Sequence, residues 1–329
     1  MVFRSTTQFP NVMRGWILGA QNIGKTPQTE RLALEERDVL TPGGAFLIFE
    51  NTRDFAKEVG SDRPHWSTEG FYRVEIATGA VSRATFDPPV KKGTGRYPFG
   101  GSPSGQQLVM AEGVVDEAVR EGVLRGVDQS RMKPWELNDL LYQASRTRLL
   151  VATFGGEPPR TIEVLNAVLN GVTDTTTIQW SPNGRLVAIS LVYRNETNRW
   201  PKEVTVYDTD TWEVAARLEG GNLSGSASWG PDSDRVLVEG TGDEAWIHHL
   251  DGTKEPVTVL PSYGTRDTRP VRALGLADNE HLLTLRVRND RATIMRTSLS
   301  EGTHERLLSW DGQEDTYPVI AQMPPETWR

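Results

Sequence analysis

A short pattern recurs six times along the chain, and this repetition constrains the fold more than any other feature of the sequence. Each copy has an apolar or small-residue stretch, a turn of Ser, Pro, Gly or Asn, and then a β-rich apolar run. The copies are VLTPGGAFLIFE from Val39, FGGSPSGQQLVMAE from Phe99, IQWSPNGRLVAIS from Ile178, ASWGPDSDRVLVEG from Ala227, LGLADNEHLLTLRV from Leu274 and the truncated VIAQMPPETWR from Val319. The last four turns begin at Ser181, Gly230, Leu276 and Met323, at intervals of about 47 residues. A period of about 45 residues is typical of the blades of a β-propeller.

A second hairpin follows the full copies, and both of its flanks have the composition of strands. The clearest examples are FYRVEIATGAVSRATF from Phe71 and VTVYDTDTWEVAARL from Val204. Their turns are built on Asx or Gly residues, which favour tight reversals of the chain. The repeat therefore predicts four antiparallel strands in each blade.

The two ends of the chain are expected to share one blade. The sixth copy stops at Arg329 after its first strand, so its missing strands would come from VFRSTT, GWILGA and ERLALEE near the N-terminus. Pairing of the N- and C-terminal strands would close the ring and hide its edges. We therefore predict an all-β fold: a six-bladed β-propeller with four-stranded antiparallel blades, forming a single domain over residues 1–329.

The turn sequences also carry a family resemblance. The SPSG and SPNG turns, the Trp180 and Trp229 that precede two of the turns, and the hydrophobic strands that follow resemble the TolB-like, or WD40-like, propeller repeat. That repeat has a small residue and Trp before Ser-Pro-Asp-Gly. The resemblance covers most of the chain beyond Val39 and implies a propeller fold. The family includes partner-binding proteins of the bacterial envelope and non-catalytic domains of some peptidases.

Composition narrows the environment and the classes of partner. The net charge is −8 and the sequence pI is near 5.3, so the whole molecule lacks the basic footprint of a nucleic-acid or anionic-membrane binder. The chain has no Cys, which excludes disulfides and thiolate chemistry. The first thirty residues lack the apolar core of a signal peptide, and no apolar run is long enough to span a bilayer. We therefore expect a cytoplasmic protein that binds neither nucleic acid nor membrane.

The predicted blades have two unlike faces. The turns between the first and second strands and between the third and fourth strands share one face, and they are short, as in SPSG, SPNG, TDT and LDG. We call this the turn face and the opposite one the loop face. On the loop face the connections within blades are long, at roughly 51–70, 113–146 and 194–201. Elaborate loops on a rigid scaffold usually carry the binding residues, so we expect the binding site on the loop face.

Cationic and aromatic residues stand side by side in these loops. Such a mixture suits the capture of a carboxylate, a phosphate or a peptide. The candidate ligand-binding residues are Arg96, Tyr97, Arg269, Tyr317, His65, Trp66, Arg199 and Trp200. The alternative is a solvated rim in which the arginines pair with Asp62, Asp267 and Glu314.

The connection within the second blade, at about 113–146, has the pattern of helices. VVDEAVREGVLRG and MKPWELNDLLYQAS are its two helical stretches, and the second carries an apolar stripe. That stripe must be buried, either on the propeller's own loop face as a cap or against a partner. The candidate partner-binding residues are Trp135, Leu137 and Leu141.

No local motif indicates catalysis. GAQNIGKT, at 19–26, has the spacing of a P-loop but lacks the parallel α/β context that a P-loop needs, and neither a metal set nor a cofactor fingerprint is present. We predict a non-catalytic binding or scaffolding propeller, without a cofactor or a metal, that recognises an anionic ligand, a peptide or a protein partner on its loop face. The alternative is a propeller enzyme, a hydrolase, lyase or cyclising biosynthetic enzyme, with its site at the mouth of the central channel.

Overall fold

Antiparallel strands dominate the computed structural model of the chain. It describes residues 2–3, 13–14, 33–34, 39–42, 45–51, 70–75, 77–85, 99–133, 136–137, 140–141, 143–156, 158–165, 167–168, 178–193, 202–218, 223–240, 245–257, 272–288, 291–311 and 319–320. Three two-residue strands come first along the chain: β1 (Val2–Phe3), β2 (Met13–Arg14) and β3 (Ala33–Leu34).

Five sheets then follow in chain order. The first contains β4 (Val39–Leu40), β5 (Phe46–Asn51), β6 (Gly70–Glu75) and β7 (Val81–Arg83). The second contains β8 (Phe99–Gly101), β9 (Gln107–Val115), β10 (Ser145–Thr153) and β11 (Arg160–Leu165). The third contains β12 (Ala167–Val168), β13 (Ile178–Trp180), β14 (Leu186–Tyr193), β15 (Lys202–Asp208) and β16 (Val214–Leu218).

The last two sheets repeat the four-stranded plan. The fourth contains β17 (Leu223–Trp229), β18 (Arg235–Gly240), β19 (Ala245–His249) and β20 (Lys254–Pro256). The fifth contains β21 (Arg272–Leu276), β22 (His281–Arg288), β23 (Arg291–Ser298) and β24 (His304–Asp311). The final strand is β25 (Val319–Ile320), which pairs antiparallel with β1, whereas β2 pairs with β3.

The predicted four strands per unit are confirmed in four of these sheets, and the third differs. There β12 and β13 both pair with β14, with Ala167 opposite Tyr193 and Trp180 opposite Val187. The innermost strand of the third sheet is thus divided into two pieces. The fifth sheet departs in a smaller way, because Leu276 ends β21 and its turn begins at Ala277, one residue later than predicted.

The S-P-x-G turns explain why a hairpin forms between the first and second strands of the second sheet, and again in the third sheet between β13 and β14. In the third sheet the Ser181 N–H donates to the carbonyl of Leu186 at 2.9 Å, and the Leu186 N–H donates to Ser181 Oγ at 3.0 Å. Gly184 has a φ of 74°, a left-handed conformation that glycine adopts without strain. The Gln107 N–H likewise donates to Ser102 Oγ at 3.0 Å in the second sheet. The serine side chain therefore closes the same turn in successive units.

Successive sheets pack face to face through apolar side chains. Residues of the first and second sheets form one buried cluster, which contains Ile48, Phe71, Ala84, Phe99, Leu108, Met110, Leu150, Ala152 and Phe154. Comparable clusters join the second sheet to the third, the third to the fourth, and the fourth to the fifth. Sheets that stack in chain order through both faces are the arrangement of a β-propeller.

Two tryptophans, one in the third sheet and one in the fourth, each bind their own sheet to the one before it. The indole N–H of Trp180 donates to the carbonyl of Gly100 at 3.0 Å, and that of Trp229 donates to the carbonyl of Gln179 at 2.9 Å. Gly100 and Gln179 occupy the same place in their units, so the bond repeats with the period of the sequence. Gly101 stands where the third and fourth units have Trp, and an added Cβ there would clash with Ile48 of the first sheet.

The two kinds of short turn lie at the same end of the sheets, as predicted. In each of the second to fifth sheets, a backbone N–H of the turn after the third strand donates to a carbonyl of the turn after the first. These bonds run from Phe154 to Gln106 at 2.8 Å, from Thr209 to Arg185 at 2.9 Å, from Leu250 to Asp234 at 3.2 Å and from Leu299 to Glu280 at 2.8 Å. The connection between β9 and β10 therefore leaves from the opposite end, the loop face.

The outer faces of the first and fifth sheets are buried as well. Leu47, Tyr72 and Val74 lie on the side of the first sheet that points away from the second, and they are at most 5% exposed. On the side of the fifth sheet that points away from the fourth, Leu283 and Ile294 are 3% and 2% exposed. Both ends of the row of sheets are therefore covered.

Among the described residues, helix occurs only in the connection between β9 and β10. It contains α1 (Glu117–Leu124), a 3-10 helix (Gln129–Arg131) and helical residues at 136–137 and 140–141. Since β9 ends at Val115 and β10 begins at Ser145, this insertion is slightly shorter than predicted. No helix among the described residues is both long and apolar enough to cross a membrane.

Replacing Trp180 by Phe tests the repeated indole bond. Trp180→Phe leaves the buried carbonyl of Gly100 without its donor, which costs about 1–3 kcal/mol. We expect a lower free energy of unfolding in urea. The control is Trp246→Phe on β19, a half-buried ring against the Lys254 ammonium group, where we expect a loss below about 1 kcal/mol. Equal losses in both variants would contradict the role of the bond.

Candidate functional site

The predicted ligand-binding residues and one predicted partner-binding residue lie outside the described part of the chain. They are Arg96, Tyr97, Arg269, Tyr317, His65, Trp66, Arg199, Trp200 and Trp135. The P-loop-like segment at 19–26 lies outside it too. The described residues place a different set of polar side chains on the same loop face, where the second sheet meets the insertion.

The second sheet is built to extend toward the loop face. The register of β9 and β10 is continuous over nine residues, from Gln107 opposite Thr153 to Val115 opposite Ser145. The inner strand β8 pairs only with Leu108 to Met110, so β9 and β10 continue beyond it.

A buried ion pair lies on this extension. Glu112 and Arg148 are directly opposite each other on β9 and β10. Glu112 is 5% exposed, and its Oε2 accepts hydrogen bonds from Arg148 Nε at 2.8 Å and from Nη2. A carboxylate so deeply buried requires a cation, because an unpaired charge there would be strongly destabilising. The pair therefore fixes the position of the guanidinium.

The ion pair with Glu112 leaves part of the Arg148 side chain exposed. That side chain is 38% exposed, against 7% for that of Glu112. Among the described residues Glu112 is its only hydrogen-bond partner, through Nε and Nη2, so Nη1 makes no hydrogen bond there. Arg148 has the same strand parity as Leu150, which packs on the first sheet. Arg148 thus lies at the rim of the seam between the first and second sheets.

A second arginine lies on the same side of β10, two residues away. Nη1 of Arg146 donates to the carbonyls of Gln143 at 3.0 Å and Ser145 at 2.9 Å, and its Nη2 is 3.7 Å from a carboxylate oxygen of Asp116. Asp116 also caps α1, because its Oδ1 accepts from the Val119 N–H at 3.2 Å. Arg146 therefore joins the two ends of the insertion.

The base of the insertion is closed by the backbone. The Asp116 N–H donates to the carbonyl of Ala144 at 2.7 Å, and Ala144 is fully buried. Farther along, the Lys133 N–H donates to Glu136 Oε2 at 2.9 Å, which caps the second helical stretch. The two predicted contact residues that are described, Leu137 and Leu141, are half-buried. The insertion has a fixed base and an incompletely covered apolar stripe.

This arrangement is suited to binding an anion. Two guanidinium groups lie on one side of one strand, and each is oriented by a neighbouring carboxylate. Guanidinium groups held in place lose little freedom when they form forked hydrogen bonds to a carboxylate or a phosphate. No local motif linked Glu112 to Arg148, since they are 36 residues apart and meet only through the register of β9 and β10. The one signal in the sequence that could have suggested this ion pair is the alternation of side chains along the two strands.

The turn face of the fifth sheet holds another polar cluster. Oδ1 of Asp278 lies 2.8 Å from Nδ1 of His281, and its Oδ2 accepts from Arg296 Nη2 at 2.5 Å. Burial raises the pKa of Asp278, but the Glu280 N–H, His281 and Arg296 outweigh it, and the net pKa is lowered. These bonds replace the serine closure of the earlier turns, and we assign the cluster to the fold.

The adjacent histidines of β19 point to opposite sides of the sheet, because successive side chains of a strand alternate. His249 is half-buried, with its Nε2 3.1 Å from Glu255 Oε1. His248 is 4% exposed, and its Nε2 has no hydrogen-bond partner among the described residues. Burial, followed by the positive charges of Lys254 and His249, lowers the pKa of His248 below 6.5. In the described residues, no three His, Asp or Glu side chains form a group that could hold a metal ion.

Comparison with known proteins gives likeness in fold alone. No family model matches the chain, and no curated protein matches it. TolB from Acinetobacter baumannii is similar with a TM-score of 0.46 and 12% identity, over 84% of this chain and 55% of that one. The tricorn protease gives 0.44 and 11%, over 82% and 26%. An oligogalacturonate lyase in complex with manganese gives 0.43 and 11%, over 83% and 65%. TolB is thus among these structures, in line with the resemblance predicted from the turns.

The buried His248 predicts acid sensitivity. Its folded-state pKa is below the unfolded value of 6.5, so the unfolded chain takes up the proton first as the pH falls. The free energy of unfolding should therefore decrease as the pH falls below 6.5. We expect His248→Gln to remove that part of the decrease between pH 8 and pH 5, and His249→Gln, at the half-buried neighbour, to keep it. The prediction fails if both variants follow the wild-type profile.

Proposed function

We propose that this protein is a non-catalytic binding propeller that recognises an anionic ligand on the loop face, at the end of its second sheet. The ligand class is a carboxylate- or phosphate-bearing molecule, either small or carried on an acidic peptide. The observation that carries the proposal is Arg148, whose guanidinium is held by the buried Glu112 while its side chain remains 38% exposed. Such a group is preorganised for an incoming anion.

Neighbouring residues support the same class of ligand. Arg146 is fixed on the same side of β10, so a second cation lies close to the first. The predicted residues Arg96 and Tyr97 are close in sequence to β8, the inner strand of the same sheet. Together they would add one more guanidinium and an aromatic ring to the rim. The remaining predicted residues, Arg269, Tyr317, His65, Trp66, Arg199 and Trp200, would line the same face from other blades.

We further propose that the sheets close into a ring of six blades, which gives this face a central channel. The support is the burial of both outer faces of the row, at Leu47 in the first sheet and Leu283 in the fifth. Four short strands in the described part of the chain remain to cover these faces: β25 with β1, and β2 with β3. A sixth blade made from these terminal strands would cover both outer faces and leave no open edge.

Removing the ion pair as a unit tests the anion site. The double variant Glu112→Met/Arg148→Met leaves no unpaired buried charge, and such replacements are often tolerated. Succinate, inorganic phosphate and a synthetic Glu-rich peptide serve as probes in thermal unfolding. A bound probe at one hundred times its dissociation constant stabilises the folded state by about 2.7 kcal/mol. We expect at least one probe to raise the melting temperature of the wild type but not of this variant.

The matched control removes an ion pair from the surface of the insertion. Glu117→Met/Arg120→Met also deletes one acid and one base, and this pair is exposed, with its atoms 3.0 Å apart. It should keep the wild-type response to the probe, whereas Arg96→Ala and Arg269→Ala should weaken it. Arg185→Ala on the turn face should have no effect. A response that survives in Glu112→Met/Arg148→Met would contradict the site, and chemical conversion of a probe would favour the enzyme alternative.

A further inference from the structure

One side of α1 is apolar and is not covered by the rest of the described chain. Ala118, Val119, Gly122 and Val123 follow the i, i+1, i+4, i+5 spacing that places them on one side of a helix. Ala118 and Gly122 are exposed, and the two valines are half-buried. Val115, just before the helix, is 51% exposed. No residue of α1 is buried, so the helix has no complete packing surface within its own subunit.

Nothing in the described part of the subunit explains why position 122 is a glycine. It lies inside a helix, where Gly costs about 1 kcal/mol relative to Ala. A Cβ added at this position would meet no atom within 4 Å, so no neighbour in the described chain requires a glycine. Its φ is not in the left-handed region, so the backbone does not require one either. A residue without a side chain at this place permits another backbone to approach closely.

The charges on α1 are complementary to those on a second copy of α1 that runs in the opposite direction. Glu121 stands four residues before Arg125 on one flank of the apolar side, whereas Glu117 and Arg120 on the other flank pair with each other within the helix at 3.0 Å. When two identical helices lie antiparallel about an axis near Gly122, each flank faces the same flank of its partner, so Glu121 of each helix faces Arg125 of the other. Since the chain has a net charge of −8, two copies repel unless they meet where charges balance, and α1 offers such a surface.

We infer that α1 docks antiparallel against α1 of a second copy of the chain, about a twofold axis close to Gly122. A twofold contact uses the same surface on both subunits, which the self-complementary charges satisfy. Val119 and Val123 of each helix pack beside Gly122 of the other, and Glu121 of each helix forms an ion pair with Arg125 of the other. The contact lies on the insertion and does not depend on the proposed anion site.

The size of the contact predicts its strength. A helix of eight residues is about 12 Å long, so two such helices bury less surface than the roughly 1,200 Å² of a stable interface. The dimer is therefore weak and dissociates in the micromolar range. At low concentration the protein is a monomer, and it associates as its concentration rises.

Sedimentation equilibrium of the full chain, from about 1 to 300 µM, tests this inference. We expect reversible dimerisation of the wild type. Gly122→Leu fills open space in the monomer, so it should keep the unfolding free energy and raise the dimer dissociation constant at least about tenfold. Gln129→Leu is the control: it adds the same apolar side chain at another exposed position of the insertion and should leave the constant unchanged.

A charge exchange identifies the partner as the same chain. Glu121→Arg should weaken the dimer, because it opposes Arg125 of the partner with a like charge. Exchanging both, as Glu121→Arg/Arg125→Glu, should restore it. A wild type that stays monomeric to the highest concentration overturns the inference. So does a dimer that Gly122→Leu leaves intact, or one that the double exchange fails to restore.

Discussion

The structure depends on the need of each sheet to bury two apolar faces. In the second sheet Met110 faces the first sheet and Val109 faces the third, so the sheet is stable only between two others. The same condition holds along the row and reaches its ends, where Leu47 and Leu283 are buried on the outer sides. If such a row closes on itself, every sheet gains two neighbours, and this is the physical reason for the ring that we propose.

The turn face and the loop face differ in how tightly hydrogen bonds hold the chain. At the turn face, backbone bonds and serine closures leave little freedom, because in the second to fifth sheets the turn after the third strand is hydrogen-bonded to the turn after the first. At the loop face, β9 and β10 continue past their inner strand and carry an insertion. Polar side chains on that extension are positioned by a rigid sheet but lie near solvent. This explains why the ion pair of Glu112 and Arg148 can be both fixed and partly exposed.

The sequence predicted the fold through local signals. The Ser-Pro turns, their spacing and the strands around them predicted the units, and Trp180 and Trp229 contributed to the family resemblance. The hydrogen bond from Trp180 to Gly100 of the preceding sheet became visible only in the structure. The division of the inner strand of the third sheet, at β12 and β13, could not be predicted, because pairing with β14 depends on register rather than on composition.

Prediction of the site was limited for a similar reason. Residue types in the loops indicated an anion, but they could not show which side chains meet. Glu112 and Arg148 come together through pairing between strands that are separated by the whole insertion. The exposed side of α1 shows the opposite case: the helix was predicted from its sequence, but its lack of cover became visible only in the folded chain.

Closure of the ring is tested most directly by a disulfide between the terminal strands. Phe3 and Val319 are opposite each other in the antiparallel pair of β1 and β25, a separation that a disulfide can bridge. The chain has no cysteine of its own, so Phe3→Cys/Val319→Cys introduces the only possible bond. A closed ring predicts that the pair oxidises readily within one chain and raises the unfolding midpoint, while Phe3→Cys/Val81→Cys does not. If the terminal cysteines stay reduced, or react only between chains, the ring is not closed by these strands.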